Sequence, residues 1–208
     1  MNTDDLIYQF RVILEGTQPM VWRRILVPGT SSFWDLHVAI QDAMGWLDCH
    51  LHLFRLKNPA TSELDQIGIS SDDSFDDTEP CLLGWEVAIA DYFKGPGDRA
   101  DYEYDFGDGW WHEVLLEEIS DGLSAAQYPI CVDGARACPP EDCGGIHGFK
   151  ELLAILSDPG HEKYPGTQQW VGTSYDPAAF DPADIRFDDP KQRWQQAFED
   201  RFSSDVIH

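Results

Sequence analysis

The sequence predicts an α+β fold, a mostly antiparallel and roll-like sheet with a few packed helices. Three observations carry this. Two strongly alternating segments, 7–14 and 21–27, flank a short turn. A helical pattern at 33–44 stands alone before the next strand rather than recurring in a βαβ rhythm. A second hairpin is marked by Asp-Gly inside YEYDFGDGWWHEV, residues 102–114. Hairpins joined by isolated helices belong to antiparallel sheets.

In the first segment, IYQFRVIL, one face carries only Tyr8, Phe10, Val12 and Leu14, the signature of a half-buried strand. EGTQP turns the chain into a second strand, Val21–Val27. Ser32 with Asp35 three residues on forms a capping box. Phe33, Leu36, Ile40 and Ala43 then recur at helical spacing, and Gly45 supplies the stop. A third strand is expected over His50–Lys57, with His50, His52 and Phe54 sharing a face. Residues 61–80 carry seven acids and no base and read as an exposed loop, and Trp85–Phe93 fits either a strand or a short helix.

If Asp108-Gly109 is a two-residue turn, Phe106 faces Trp111, Asp105 faces His112 and Tyr104 faces Glu113, with Trp110 and Trp111 at an exposed tip. Residues 121–148 read as a long loop with defined turns, followed by a helix over 149–156 that ends at Ser157-Asp158-Pro159. Asp176-Pro177 and Asp181-Pro182 each place a capping residue before a proline. Lys191–Phe202 reads as an amphipathic helix with Trp194, Phe198 and Phe202 at four-residue steps. The expected organisation is one domain over 1–187 with a helical extension over 188–208.

Charge is the extreme feature: 14 basic against 38 acidic residues, net −24. Solubility explains it most simply, and cations or a basic protein partner explain it more sharply. Direct nucleic-acid binding is disfavoured by phosphate repulsion. There is no bilayer-length apolar run and no basic start followed by an apolar core, so a cytoplasmic location is expected. The five cysteines, an odd number, argue against a disulfide framework in that setting.

Two constellations could carry chemistry. A facing Asp105–His112 pair, with Glu113 beside it, could act as a general base or support a metal, and it could equally be a register-setting ion pair. Cys131, Cys138, Cys143 and His147 could close a tetrahedral zinc site, although their gaps of six, four and three residues depart from paired zinc motifs. Small buried side chains pinning a tight loop explain the same residues. Asp108, Glu141 and Asp142 suit a harder cation. His50-x-His52, with His37 upstream, is a third metal-binding possibility. No motif for a nucleotide or other organic cofactor is present.

These pieces also resemble a known family. YQFRVILEGTQPMVWRRILVPG, LHVAIQDAMGW with HLHLF, YEYDFGDGWWHEV and CVDGARACPPEDCGGIHGF are similar, in order over roughly 6–187, to plasmid pRiA4b Orf-3-like proteins. Trp111 stands where the family pattern has a polar residue. The resemblance implies an α+β domain, some members of which accompany insertion elements, and it transfers no catalytic residues. Two functional expectations follow. One is a non-enzymatic accessory or interaction protein with a protein partner. The other is a metal-dependent hydrolase using Asp105, Asp108, His112 and Glu113 with Mg²⁺, Mn²⁺ or Zn²⁺. Neither fixes the oligomeric state.

Overall fold

The computed structural model of the chain describes residues 6–69, 81–122 and 126–199. The alternating N-terminal segments form β1 (Leu6–Leu14) and β2 (Val21–Pro28), paired antiparallel from Ile7↔Pro28 to Leu14↔Val21. Tyr8, Phe10, Val12 and Leu14 are buried, as their alternation requires. The helix α1 (Phe33–Met44) begins with the expected capping box: Ser32 Oγ accepts from Asp35 N at 3.1 Å, and Asp35 Oδ2 accepts from Ser32 N at 2.8 Å. Gly45, at φ 85°, ends it.

The chain continues through β3 (His52–Lys57), β4 (Leu64–Ile69), β5 (Cys81–Leu83) and the single-turn α2 (Ile89–Tyr92). Next come β6 (Arg99–Tyr104), β7 (Trp110–Asp121) and β8 (Ile130–Ala135). Helices α3 (Gly145–Leu156), α4 (Tyr164–Val171) and α5 (Pro190–Trp194) follow, and a π-turn at Gln195–Glu199 extends α5. The strands form one sheet in the order β5-β4-β3-β6-β7-β1-β2-β8, antiparallel at every step except β4–β5. Helix α1 lays Phe33, Leu36, Ile40 and Ala43 on this sheet, where they meet Phe10, Phe54, Tyr102 and Val114 in the core.

Several expectations are corrected. The loop expected over 61–80 contains β4, whose apolar residues Ile67 and Gly68 pack against β3; residues 70–80 lie outside the described residues. Gly68 permits that pairing, because a Cβ there would stand 2.6 Å from His52 O. The loop expected over 121–148 contains β8, held to β2 across a bulge. Trp85–Phe93 resolves to the short α2. The last helix runs through α5 and its π-turn over the described residues, and Phe202 falls outside them.

The DFGDG hairpin is the main correction. Tyr104 pairs with Trp110 and Tyr102 with His112, so residues 105–109 form a longer loop and Asp105 does not face His112. The reason is local: Asp105 takes a left-handed conformation (φ 56°), its Oδ1 accepts from Gly107 N at 2.9 Å, and its carbonyl accepts from Gly109 N at 2.6 Å. That shift turns Trp110 into the core, fully buried, while Trp111 stays at the surface beneath the Arg55 guanidinium, 4.8 Å from its ring centroid.

The capping box is a clean target. Ser32→Ala should lower stability by about 1 kcal/mol in denaturant titration, whereas Ser32→Asp, which can still cap, should recover most of it.

Candidate metal centre

Helix α1 presents His37 and Gln41 one turn apart to Tyr102 in β6. The Tyr102 hydroxyl lies 2.8 Å from His37 Nδ1 and accepts from Gln41 Nε2 at 2.9 Å. On the other side of the His37 ring, Nε2 lies 2.8 Å from Asp48 Oδ1, on the loop that leaves α1. His52, the first residue of β3, stacks on His37 with ring centroids 3.4 Å apart and planes within 11°. One nitrogen of each imidazole and one Asp48 oxygen all lie within 4.8 Å of one another. His52 is 1% exposed, and its Nε2 has no hydrogen-bond partner among the described residues.

Burial and neighbouring charge set the protonation of this group. Burial, and then the stacked His37, push the His52 pKa well down, so its imidazole is neutral with a free lone pair. Burial pulls the Asp48 carboxyl up, but the charge and hydrogen bond of His37, with Arg193 behind them, outweigh it and hold Asp48 ionised. Burial likewise keeps Tyr102 a neutral phenol. A cavity of about 340 Å³ opens onto Asp48 and His52 between Trp34, Leu51, Ile69 and Phe198.

The expected residues are placed differently. His112 is fully buried against Trp46, with Nδ1 3.3 Å from Tyr102 O, while the next residue, Glu113, points outward to Arg99 Nη1 at 2.9 Å. Successive strand residues face opposite ways, so these two cannot share a site. Asp105 builds its own turn, and its Oδ2 lies 3.6 Å from His50 Nε2, which also approaches Asp142 Oδ1 at 3.3 Å. Asp108 seats the turn on the Cys loop: its Oδ2 accepts from Gly144 N at 3.1 Å, and a Cβ on Gly145 would meet Asp108 O at 2.4 Å. The hairpin therefore packs against the Cys loop.

Among the described residues, no three of Cys131, Cys138, Cys143 and His147 bring ligand atoms within 4.8 Å of one another. Cys131 Sγ turns to Asp133 O and Cys138 Sγ to Met44 Sδ. Burial pushes the Cys138 and Cys143 thiols up to about 12.

Of the three histidines noted in the sequence, His37 and His52 converge and His50 does not, because β3 starts only at His52. Asp48, Gln41 and Tyr102 had no sequence signal: nothing in their spacing separates them from an ordinary loop acid, helix amide or strand tyrosine.

With sheet, hairpin loop and Cys loop in place, relatives become informative. The sequence matches the plasmid pRiA4b ORF-3-like protein family over residues 6–184. The chain belongs to that family. The uncharacterized protein y4hQ of Sinorhizobium fredii is 34% identical over 192 residues, covering 90% of this chain and 94% of its own. The crystal structure of MM3350, a protein of unknown function from Methanosarcina mazei Go1, superimposes with a TM-score of 0.80 at 42% identity, covering 88% of this chain and 98% of its own. No helix among the described residues of this ORF-3-like chain is long and apolar enough to cross a membrane.

His112 gives a pH test. Burial pushes its pKa down from 6.5 to about 4. Between those values the unfolded chain takes up a proton that the folded chain refuses, so stability falls as pH falls through the window, by up to about 1.4 kcal/mol per pH unit. Denaturant midpoints at pH 7, 6 and 5 should show the wild-type advantage over His112→Gln shrinking. Parallel curves would contradict a neutral, buried His112.

Proposed function

We propose that this ORF-3-like protein binds one late first-row divalent ion, zinc in the first instance, through His37, Asp48 and His52, and uses it for hydrolytic chemistry in the adjoining cavity. The observation that carries this is the buried, unpartnered Nε2 of His52 in a neutral ring stacked on a second histidine that is already held by a carboxylate. A buried nitrogen without a partner is costly unless something is ligated there. Two imidazoles and one carboxylate match the three-ligand sets of catalytic zinc sites, which leave a fourth position for water. Such an ion would lower the pKa of bound water and polarise a carbonyl or phosphoryl oxygen.

The surroundings support the same reading. With the Gln41 amide turned over, its oxygen accepts from Tyr102, and Tyr102 accepts from His37 Nδ1–H. His37 Nε2 is then free for the ion, and its partner behaves as metal-bound histidines' partners do.

A second reading, a non-enzymatic accessory protein with a basic protein partner, is supported by the net charge of −24, which would steer such a partner and repel nucleic acid. The plasmid in the family's name supports an association with mobile elements.

Elemental analysis and zinc titration of tag-free protein separate these. One zinc per chain is expected. His52→Ala and Asp48→Asn should each weaken binding at least about 100-fold, and Tyr102→Phe by about 10- to 100-fold. Cys138→Ser should leave it unchanged. Zinc that survives His52→Ala and disappears with Cys138→Ser would move the ion to the Cys loop. Bound zinc without chelator-sensitive hydrolysis of model esters or phosphoesters would favour the accessory reading.

A further inference from the structure

The last described segment lies over this centre. Asp189 caps α5 by accepting from Lys191 N at 2.9 Å, and Pro190 O accepts the Trp34 indole N–H at 2.9 Å. Phe198 meets Trp34 edge-on at 5.8 Å and packs on Trp85 at 5.3 Å and Trp194 at 5.4 Å. Ala197 and Phe198 thereby wall the cavity that exposes Asp48 and His52. Arg193 enters from the same segment. Its Nη2 donates to Asp42 Oδ1 at 2.7 Å and also to Asp188, and its Nη1 stands 3.9 Å from Asp48 Oδ2. The Arg193 side chain is 15% exposed, and Nη1 has no hydrogen-bond partner among the described residues. The segment 188–199 itself lies beyond residue 184, where the family match ends.

On the reading that His37, Asp48 and His52 hold a divalent ion, we propose that residues 188–199 are a self-inhibitory latch, with Arg193 as a tethered cation that competes with the ion for the Asp48 carboxylate. Asp48 already spends Oδ1 on His37, so Oδ2 is the oxygen left to the competitor. A guanidinium at that distance in partly buried surroundings repels an arriving dication, while Phe198 covers its route. Asp42 and Asp188 hold the guanidinium when the ion is absent, so the closed state is the resting one. Coupling of this kind is reciprocal: whatever opens the latch tightens the ion, and the ion loosens the latch.

Zinc alone, titrated against the intact chain, Arg193→Gln and Arg193→Lys, tests this. Arg193→Gln should bind zinc at least about tenfold more tightly than the wild type, within the usual range of such couplings. Arg193→Lys, which keeps the charge, should stay near the wild type. As a check that leaves Arg193 unaltered, zinc should speed tryptic cleavage after Lys191 and Arg193 in the intact chain, and a zinc chelator should reverse the effect. Equal zinc affinities across the three proteins, or zinc that slows cleavage, would overturn the latch and leave the metal centre standing. No zinc on any of them would overturn both.

Discussion

The Tyr102 hydroxyl, buried between helix and sheet, takes hydrogen bonds to both His37 and Gln41, and the geometry of the centre depends on it. A hydroxyl sealed in an apolar core costs about 1–3 kcal/mol if left unpaired, so the helix must present these two polar side chains to it. That requirement sets the rotation of α1 about its axis. Phe33, Leu36 and Ile40 then fall on the sheet, and the His37 ring lies where His52 can stack. Hydrophobic burial drives α1 onto the sheet, but it would accept neighbouring rotations nearly as well. The hydrogen bonds select one.

The scarce cations are used inwardly. Arg23 is 2% exposed, and its guanidinium donates to Ala43 O at 2.7 Å and Ala135 O at 3.0 Å while stacking over Phe180. It closes the C-terminal end of α1, where carbonyls and the helix dipole favour a cation, and it ties that end to the edge strand β8. Arg24 binds Glu117 through two nitrogens and reaches Asp133 across the sheet. With Arg23 buried and Arg24 paired to two acids, neither is left to offset the excess of 38 acidic over 14 basic residues at the surface.

The elements that alternate or cap strongly were legible in the sequence: β1, β2, α1 and the proline-led turn at Asp181 were fixed by burial period and local hydrogen bonds. The DFGDG hairpin was legible as a hairpin and misread in register. Asp105 can build a turn of its own, and that choice rests on side-chain hydrogen bonds that pairing arithmetic ignores. β4 and β8 were hidden because short strands in polar segments show no period. The proposed metal centre was half legible. Histidines attract notice wherever they stand, but Asp48 and Tyr102 earn their roles only through contacts across 11 and 65 positions of chain from His37.

The buried cysteines have a chemical consequence. Attack on electrophiles and the first step of sulfur oxidation both start from the thiolate. With the thiols of Cys138 and Cys143 pushed up to about 12, on the order of one molecule in 10⁵ carries that thiolate at neutral pH. Burial therefore makes Cys138 and Cys143, in the loop that seats the hairpin through Asp108 and Gly144, slow to oxidise or alkylate at neutral pH.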